Sequence, residues 1–114
     1  MEKLQRHFQE QLDVLSEKVL VMGGCVEETI GNVLSALVGR DSNLARRVIS
    51  DDEQVDRFDL EIDQIGMEIL GLHQPVARDL RFVITAMKIT NDLERIADLC
   101  TNVAERAIEL NEEP

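Results

Sequence analysis

Two acidic pairs stand at one-turn spacing in this chain of 114 residues: Asp52-x-x-x-Asp56 and Glu94-x-x-x-Asp98. Residues four apart on a helix lie one above the other, so each pair presents two carboxylates to one side. Four carboxylates brought together repel one another, and a bound cation is the simplest relief. Ligands that are all oxygen favour hard or borderline cations such as Mg, Mn and Fe, with Zn admitted. The Glu-x-x-His pattern of di-iron bundles is missing. The two histidines, His7 and His73, fall at a helix start and a helix end. An open redox centre is therefore not expected. The competing reading is a solvated acidic surface, with Asp51 and Asp52 favoured by a helix N-terminus.

The elements that must carry these pairs follow from the apolar period. Phe8, Leu12, Leu15, Val19, Met22, Val26, Thr29, Val33 and Ala36 recur in steps of three and four, which predicts a helix over 3–38. Gly23-Gly24 interrupts its propensity and predicts a kink or a close approach. Gly39 is a stop, with Asp41 or Ser42 as the next N-cap. A short helix over 42–49 carries Leu44, Val48 and Ile49. Ser50-Asp51-Asp52-Glu53 then matches a capping box and predicts a new helix over 51–72, with Val55, Phe58, Ile62, Ile65, Ile69 and Leu72 as its core row. Gly71 and Gln74-Pro75 end it. Pro75 or Asp79 opens a last helix over 76–110, with the row Phe82, Ala86, Ile89, Leu93, Ile96, Cys100, Val103 and Ala107. Strand signals are missing. The expected fold is all-α, a single domain over 1–114: an antiparallel three-helix bundle with a short extra helix in the first crossover.

On these helices Glu94 and Asp98 fall roughly opposite the core row, on an outer polar strip. Asp52, Asp56, Asp59 and Asp63 form one acidic row bordering the apolar face, with Arg57 the one basic residue between Asp51 and Asp63. Like charges at this spacing cost a few tenths of a kcal/mol per pair.

Composition narrows the function. Hydrophobic residues make up 44% of the chain, enough for one core, and aromatics only 3%, with no Trp or Tyr to stack on bases or sugars. Acidic residues outnumber basic ones 23 to 12, for a net charge of −11. Nucleic acid and anionic lipid surfaces are disfavoured, and a cation or a basic protein patch is favoured. Cys25 and Cys100 lack CxxC spacing and read as small core residues of a reducing compartment. The start, MEKLQRHFQE, lacks the apolar run of a signal peptide, and no stretch is expected to span a membrane. A cytoplasmic location is expected. His73 as a phosphate acceptor and Arg78-Asp79-x-Arg81 as an anion grip are weaker readings. A helix-dipole partner and a cap with surface ion pairs explain them as well.

The run Gln74-Pro-Val-Ala-Arg-Asp-Leu-Arg81 and the following Lys88-Ile-Thr-Asn-Asp-Leu-Glu-Arg-Ile-Ala-Asp98 resemble the PhoU family of phosphate-signalling proteins. That family carries QPxAxDLR and then LERIGD; here Ala97 replaces the Gly. Met22-Gly23-Gly24-Cys25-Val26-Glu27-Glu28 is similar to its MGGxVE segment, and Leu44–Ile49 with Asp52-x-x-x-Asp56 fit in order and spacing. The resemblance implies a helical fold built from three-helix repeats, of which this chain supplies one. It implies acidic pairs that hold multinuclear iron or zinc clusters on the surface, here Asp52, Asp56, Glu94 and Asp98. It also implies a non-catalytic regulator of phosphate uptake and starvation genes. Such a protein links a phosphate ABC transporter to a sensor histidine kinase, lies peripheral to that membrane complex, and forms a homodimer. The alternatives are a metal-dependent enzyme on a bundle, or a plain helical interaction module without metal.

Overall fold

The computed structural model describes residues 2–113. Three helices follow one another: α1 (Glu2–Val38), α2 (Ser42–His73) and α3 (Ala77–Asn111). Two turns of about three residues join them, so α2 runs back along α1, and α3 runs parallel to α1. The body is 67 Å long and 19 × 16 Å across.

The α1 row behaves as its spacing predicts. Leu12, Leu15, Met22, Val26, Val33 and Ala36 are buried, because a seven-residue apolar period keeps one seam facing two neighbours. Gly23-Gly24 does not break the helix. By length and composition α1 also holds an 18-residue window apolar enough to cross a membrane, of which only 22% is buried. No such stretch was expected. It arises because Leu20, Val21, Ile30 and Leu34, all exposed, add to the core row.

The short helix expected over 42–49 is helical but does not stop there: α2 is continuous from Ser42 to His73. Its N-cap is Asp41, whose carboxylate accepts a hydrogen bond from the Leu44 amide at 3.0 Å. The capping-box residues Ser50 to Glu53 therefore lie inside the helix. Tertiary packing decides this, since Ala45, Val48, Val55, Ile62 and Ile69 are buried on one unbroken seam that a new helix start would throw out of phase. Asp41→Ala is expected to cost about 1 kcal/mol as a lost cap, and Ser50→Ala under about 0.5 kcal/mol as a mid-helix surface change. Urea midpoints of the two variants measure the difference. The turn before α2 places Arg40, not Gly39, in the left-handed region, at φ 53°. A Cβ on Gly39 would stand 3.0 Å from the Ser35 carbonyl oxygen, which accounts for glycine there.

α3 opens at Ala77, after Val76, rather than at Pro75 or Asp79. Its core row also differs. Val83, Ala86, Thr90, Ala97, Cys100, Ala104 and Ala107 are buried. Phe82, Ile89, Ile96 and Val103, expected inside, are 36–44% exposed. Two apolar rows lie side by side on this helix, and the one of smaller residues faces inward. Small side chains permit the close helix approach that a slender bundle needs. Gly66 shows that closeness on α2: a Cβ there would meet Met87 Sδ at 2.7 Å.

The core has two parts. The larger contains Leu15, Met22, Val26, Val55, Ile62, Val83 and Ala97. The smaller contains Val33, Ala36, Ala45, Val48, Cys100 and Ala104. Asp52 lies between Val48 and Val55 on the α2 seam, at the level where the two meet.

Candidate functional site

On α2 a row recurring every seven residues, Ala45, Asp52, Asp59 and Gly66, borders α3: Asp52 lies near Asp98, Asp59 near Glu94 and Gly66 against Met87. Two carboxylates thus occupy positions where a bundle ordinarily places an apolar side chain. Asp52 and Asp59 are accordingly half-buried, while Asp56, on the flank between them, is exposed. On α3 Glu94 is half-buried and Asp98, one turn on, is exposed. Glu94 therefore borders the core at the α2–α3 seam and does not lie opposite it. The expected outer strip was displaced because it was counted from the Phe82–Ile96 row.

The electrostatics show that the two helices bring these groups together. Burial, followed by the charges of Asp56 and Asp98, raises the Asp52 carboxyl above its ordinary range. Glu94 is raised to about 7, first by a side-chain hydrogen bond with Asp59, then by burial and by the charges of Asp59, Asp56 and Asp98. Burial and the charge of Asp52 push the Cys100 thiol up. With both acids ionised, the buried Asp59 Oδ1 has no hydrogen-bond partner; a protonated Glu94 supplies the donor that the Asp59 carboxylate lacks. Ion pairs among the described residues join Lys18 to Glu61, Arg47 to Asp51 and Arg106 to Glu109. None of them neutralises the carboxylates of Asp52, Asp56, Asp59, Glu94 or Asp98.

All four sequence-predicted residues, Asp52, Asp56, Glu94 and Asp98, thus belong to one electrostatic cluster. Asp63 stays exposed and apart. Asp59 joins the cluster although the pair motif passes it over. The signal for it was present in the seven-residue spacing from Asp52, which places both on the core seam. The donor chemistry fits a hard or borderline cation. Among the described residues, however, no three His, Cys, Asp or Glu side chains form a closed ligand group as they stand. A cation would have to draw the carboxylates inward.

A pH dependence follows. Glu94 has a folded pKa of about 7 against an ordinary 4.5, so the folded state holds its proton more tightly than the unfolded state. The associated stabilisation is complete below about 4.5 and lost as pH rises through about 7. The upward shift of Asp52 acts in the same sense. Chemical denaturation is expected to show the apo protein more stable at pH 5 than at pH 7.5, by on the order of 1 kcal/mol after solvent screening. In Glu94→Gln that difference should shrink markedly.

The other sequence candidates have structural roles. His73 Nε2 lies 3.0 Å from Gln11 Oε1, and its ring packs on Phe8 at 4.8 Å and His7 at 5.4 Å between centroids. It ties the end of α2 to α1. Arg78 lines an open depression of about 400 Å³ with Asp13 and Asp79, two carboxylates that oppose an anion there.

Residues 19–107 match the PhoU domain family. The chain is 41% identical over 110 residues to the phosphate-specific transport system accessory protein PhoU homolog of Pseudomonas putida, covering 96% of this chain and 43% of that protein. It is 36% identical over 107 residues to PhoU homolog 1 of Thermotoga maritima, covering 94% and 46%. The crystal structure of PhoU from Pseudomonas aeruginosa superposes with a TM-score of 0.90 at 40% identity, covering 93% of this chain and 51% of that one. The chain thus spans about half the length of the relatives it matches.

Proposed function

The chain belongs to the PhoU family, and from that premise we propose that it regulates phosphate uptake as an accessory protein of a phosphate-specific transport system. In this reading it is a non-enzymatic adaptor between the phosphate ABC transporter and a sensor histidine kinase. It works in the cytoplasm, peripheral to the membrane complex, and represses phosphate-starvation genes. The names of its relatives support the transport link. The observation that carries the reading is the carboxylate cluster, because it places Asp52 and Asp59 at core-facing positions of the α2–α3 seam. Half-buried carboxylates without a counter-charge destabilise a bundle, and a bundle selected for stability alone would not carry them.

Asp52, Asp56, Glu94 and Asp98 would hold iron or zinc, with Mg or Mn admitted by the same oxygen donors; Asp59 would support Glu94 from the seam. When bound, the metal supplies positive charge that cancels the repulsion and stiffens the face. The residues themselves do the rest. Asp56 and Asp98 project from the seam and remain accessible to a basic patch on a partner, while a surface of net charge −11 steers such partners in. No histidine shares the cluster, and burial with the charge of Asp52 keeps the adjoining Cys100 thiol protonated, which supports a docking face over an enzyme.

Two measurements test the proposal. Elemental analysis of purified protein is expected to find iron or zinc that an Asp56→Ala/Asp98→Ala variant loses while remaining helical. Equal, near-zero metal in both sinks the metal reading. Expression of the chain in a bacterium deleted for its own PhoU is expected to lower a phosphate-starvation promoter reporter. An unchanged reporter, with the chain folded and present, counts against regulation by this chain.

A further inference from the structure

His7 and His73, the two histidines of the chain, stand far apart in sequence yet meet at one end of the bundle. Their ring centroids are 5.4 Å apart and their planes are tilted by 49°. Two imidazoles on one tetrahedral ion, with metal–nitrogen bonds of about 2.0–2.1 Å, bring their ring centres to about 5 Å.

Gln11 completes the arrangement. It follows His7 by one turn on α1, so the two side chains share a face. Zinc ligands on a helix are commonly paired at this spacing. Across the α1–α2 boundary, Gln11 Oε1 lies 3.0 Å from His73 Nε2. Adjacent donors on a tetrahedral ion stand about 3.3 Å apart, so the contact holds both atoms near ligand separation. As a hydrogen bond, Nε2 carries the proton and donates it to the amide oxygen. In the other tautomer the proton sits on Nδ1, and Nε2 and Oε1 both turn lone pairs to one point.

Two further contacts orient the group. The Gln11 amide nitrogen donates to Glu68 Oε2 at 3.4 Å, which fixes its oxygen toward His73. Phe8 packs on the His73 ring at 4.8 Å between centroids and limits its rotation. The Glu68 carboxylate also brings a negative charge beside the group. Outer partners of this kind contribute about ten- to a hundredfold to metal affinity. His7 is exposed, and Gln11 and His73 are half-buried, so an ion has an open path in.

We infer that His7, Gln11 and His73 form a binding site for a borderline divalent ion of the zinc(II) and copper(II) class. Imidazole suits these ions, whereas donors that are all carboxylate suit harder ones. Among the described residues no three His, Cys, Asp or Glu side chains close on one ion, so water completes the coordination sphere. The site is separate from the carboxylate cluster: His73 and Asp59 are fourteen residues apart on α2, about 21 Å at helical rise. The ion clasps the start of α1 to the end of α2, directly before Gln74, whose φ is 45°, in the turn that leads to α3. The inference rests on neither the phosphate reading nor the cluster.

Copper(II), added at one equivalent to the untagged 114-residue chain, tests the donors. Pulsed electron paramagnetic resonance counts the imidazoles on the ion, and the chain holds just these two. Two imidazoles on one copper are expected, and one or none overturns the inference. The count should stay at two in Asp56→Ala/Asp98→Ala, which disables the carboxylate cluster; its loss in a folded variant overturns the separate site. In that background, zinc(II) competition with a chromophoric chelator reads the affinity. His7→Gln and His73→Gln are each expected to raise the dissociation constant at least roughly tenfold, and Gln11→His to lower it about tenfold. Unchanged affinity in both histidine variants overturns the inference, as does a Gln11→His chain that binds no tighter. Saturation only above about 1 mM, the strength of casual surface chelation, overturns it too. Should the background variant unfold, the copper count on wild type decides alone.

Discussion

Leucine in place of both Asp52 and Asp59 is expected to make the apo bundle more stable, by about 2–4 kcal/mol. Both positions face the core seam, and Asp59 Oδ1 is buried without a partner. Desolvation raises Asp52, and Asp59 in turn raises Glu94. Removing the two carboxylates ends that repulsion and joins the core clusters on either side of Asp52. For a domain of this size the gain corresponds to a rise in Tm of roughly 8–20 °C. The same double variant should fail to retain metal and should lose regulatory output. Thermal melts beside elemental analysis read both effects. A variant less stable than wild-type apo protein would show that the carboxylates hold the seam together, and the functional account of their position would fall. The pattern expected, stability gained and function lost, is the usual mark of a strained functional site.

Ile62→Ala is expected to remove about 3–4 kcal/mol, the largest loss among single truncations on α2. Ile62 is fully buried in the larger core cluster, and its seam neighbours Asp59 and Gly66 have little apolar volume with which to fill a void. Against a total stability of about 5–15 kcal/mol, Tm should fall by roughly 12–25 °C. Leu60→Ala, two residues earlier but 68% exposed, should change stability by under about 0.5 kcal/mol. Urea unfolding of both, at equal m-value, checks the contrast. Equal losses would mean that the α2 seam is not where the structure places it.

The fold was largely legible because α1 states its period without ambiguity: one apolar row, uninterrupted over ten turns, fits only a long amphipathic helix. The acidic pairs were legible for the same reason, since four-residue spacing is a local geometric fact. Two readings failed where local signals conflicted with packing. The Ser50–Glu53 box is a sound helix start in isolation, but the seam through Val48 and Val55 holds the helix continuous. On α3 the bulkier row of Phe82, Ile89, Ile96 and Val103 outweighs the alanines by hydrophobicity, yet the alanines are inside.

The amino-acid sequence by itself therefore determined that the chain is helical throughout, the order of its long helices, the α1 core row and the one-turn spacing within each acidic pair, all properties of short-range spacing. Only the tertiary structure decided which face of α3 is buried, and with it that Glu94 lies at the seam beside Asp59 and that an apolar row is left outside. The reason is steric. Periodicity specifies that a face is buried but not which of two adjacent rows turns inward. That choice belongs to how the helices pack, and here Val83, Ala86, Thr90, Ala97, Cys100, Ala104 and Ala107 turn inward while Met87 fills the space left at Gly66.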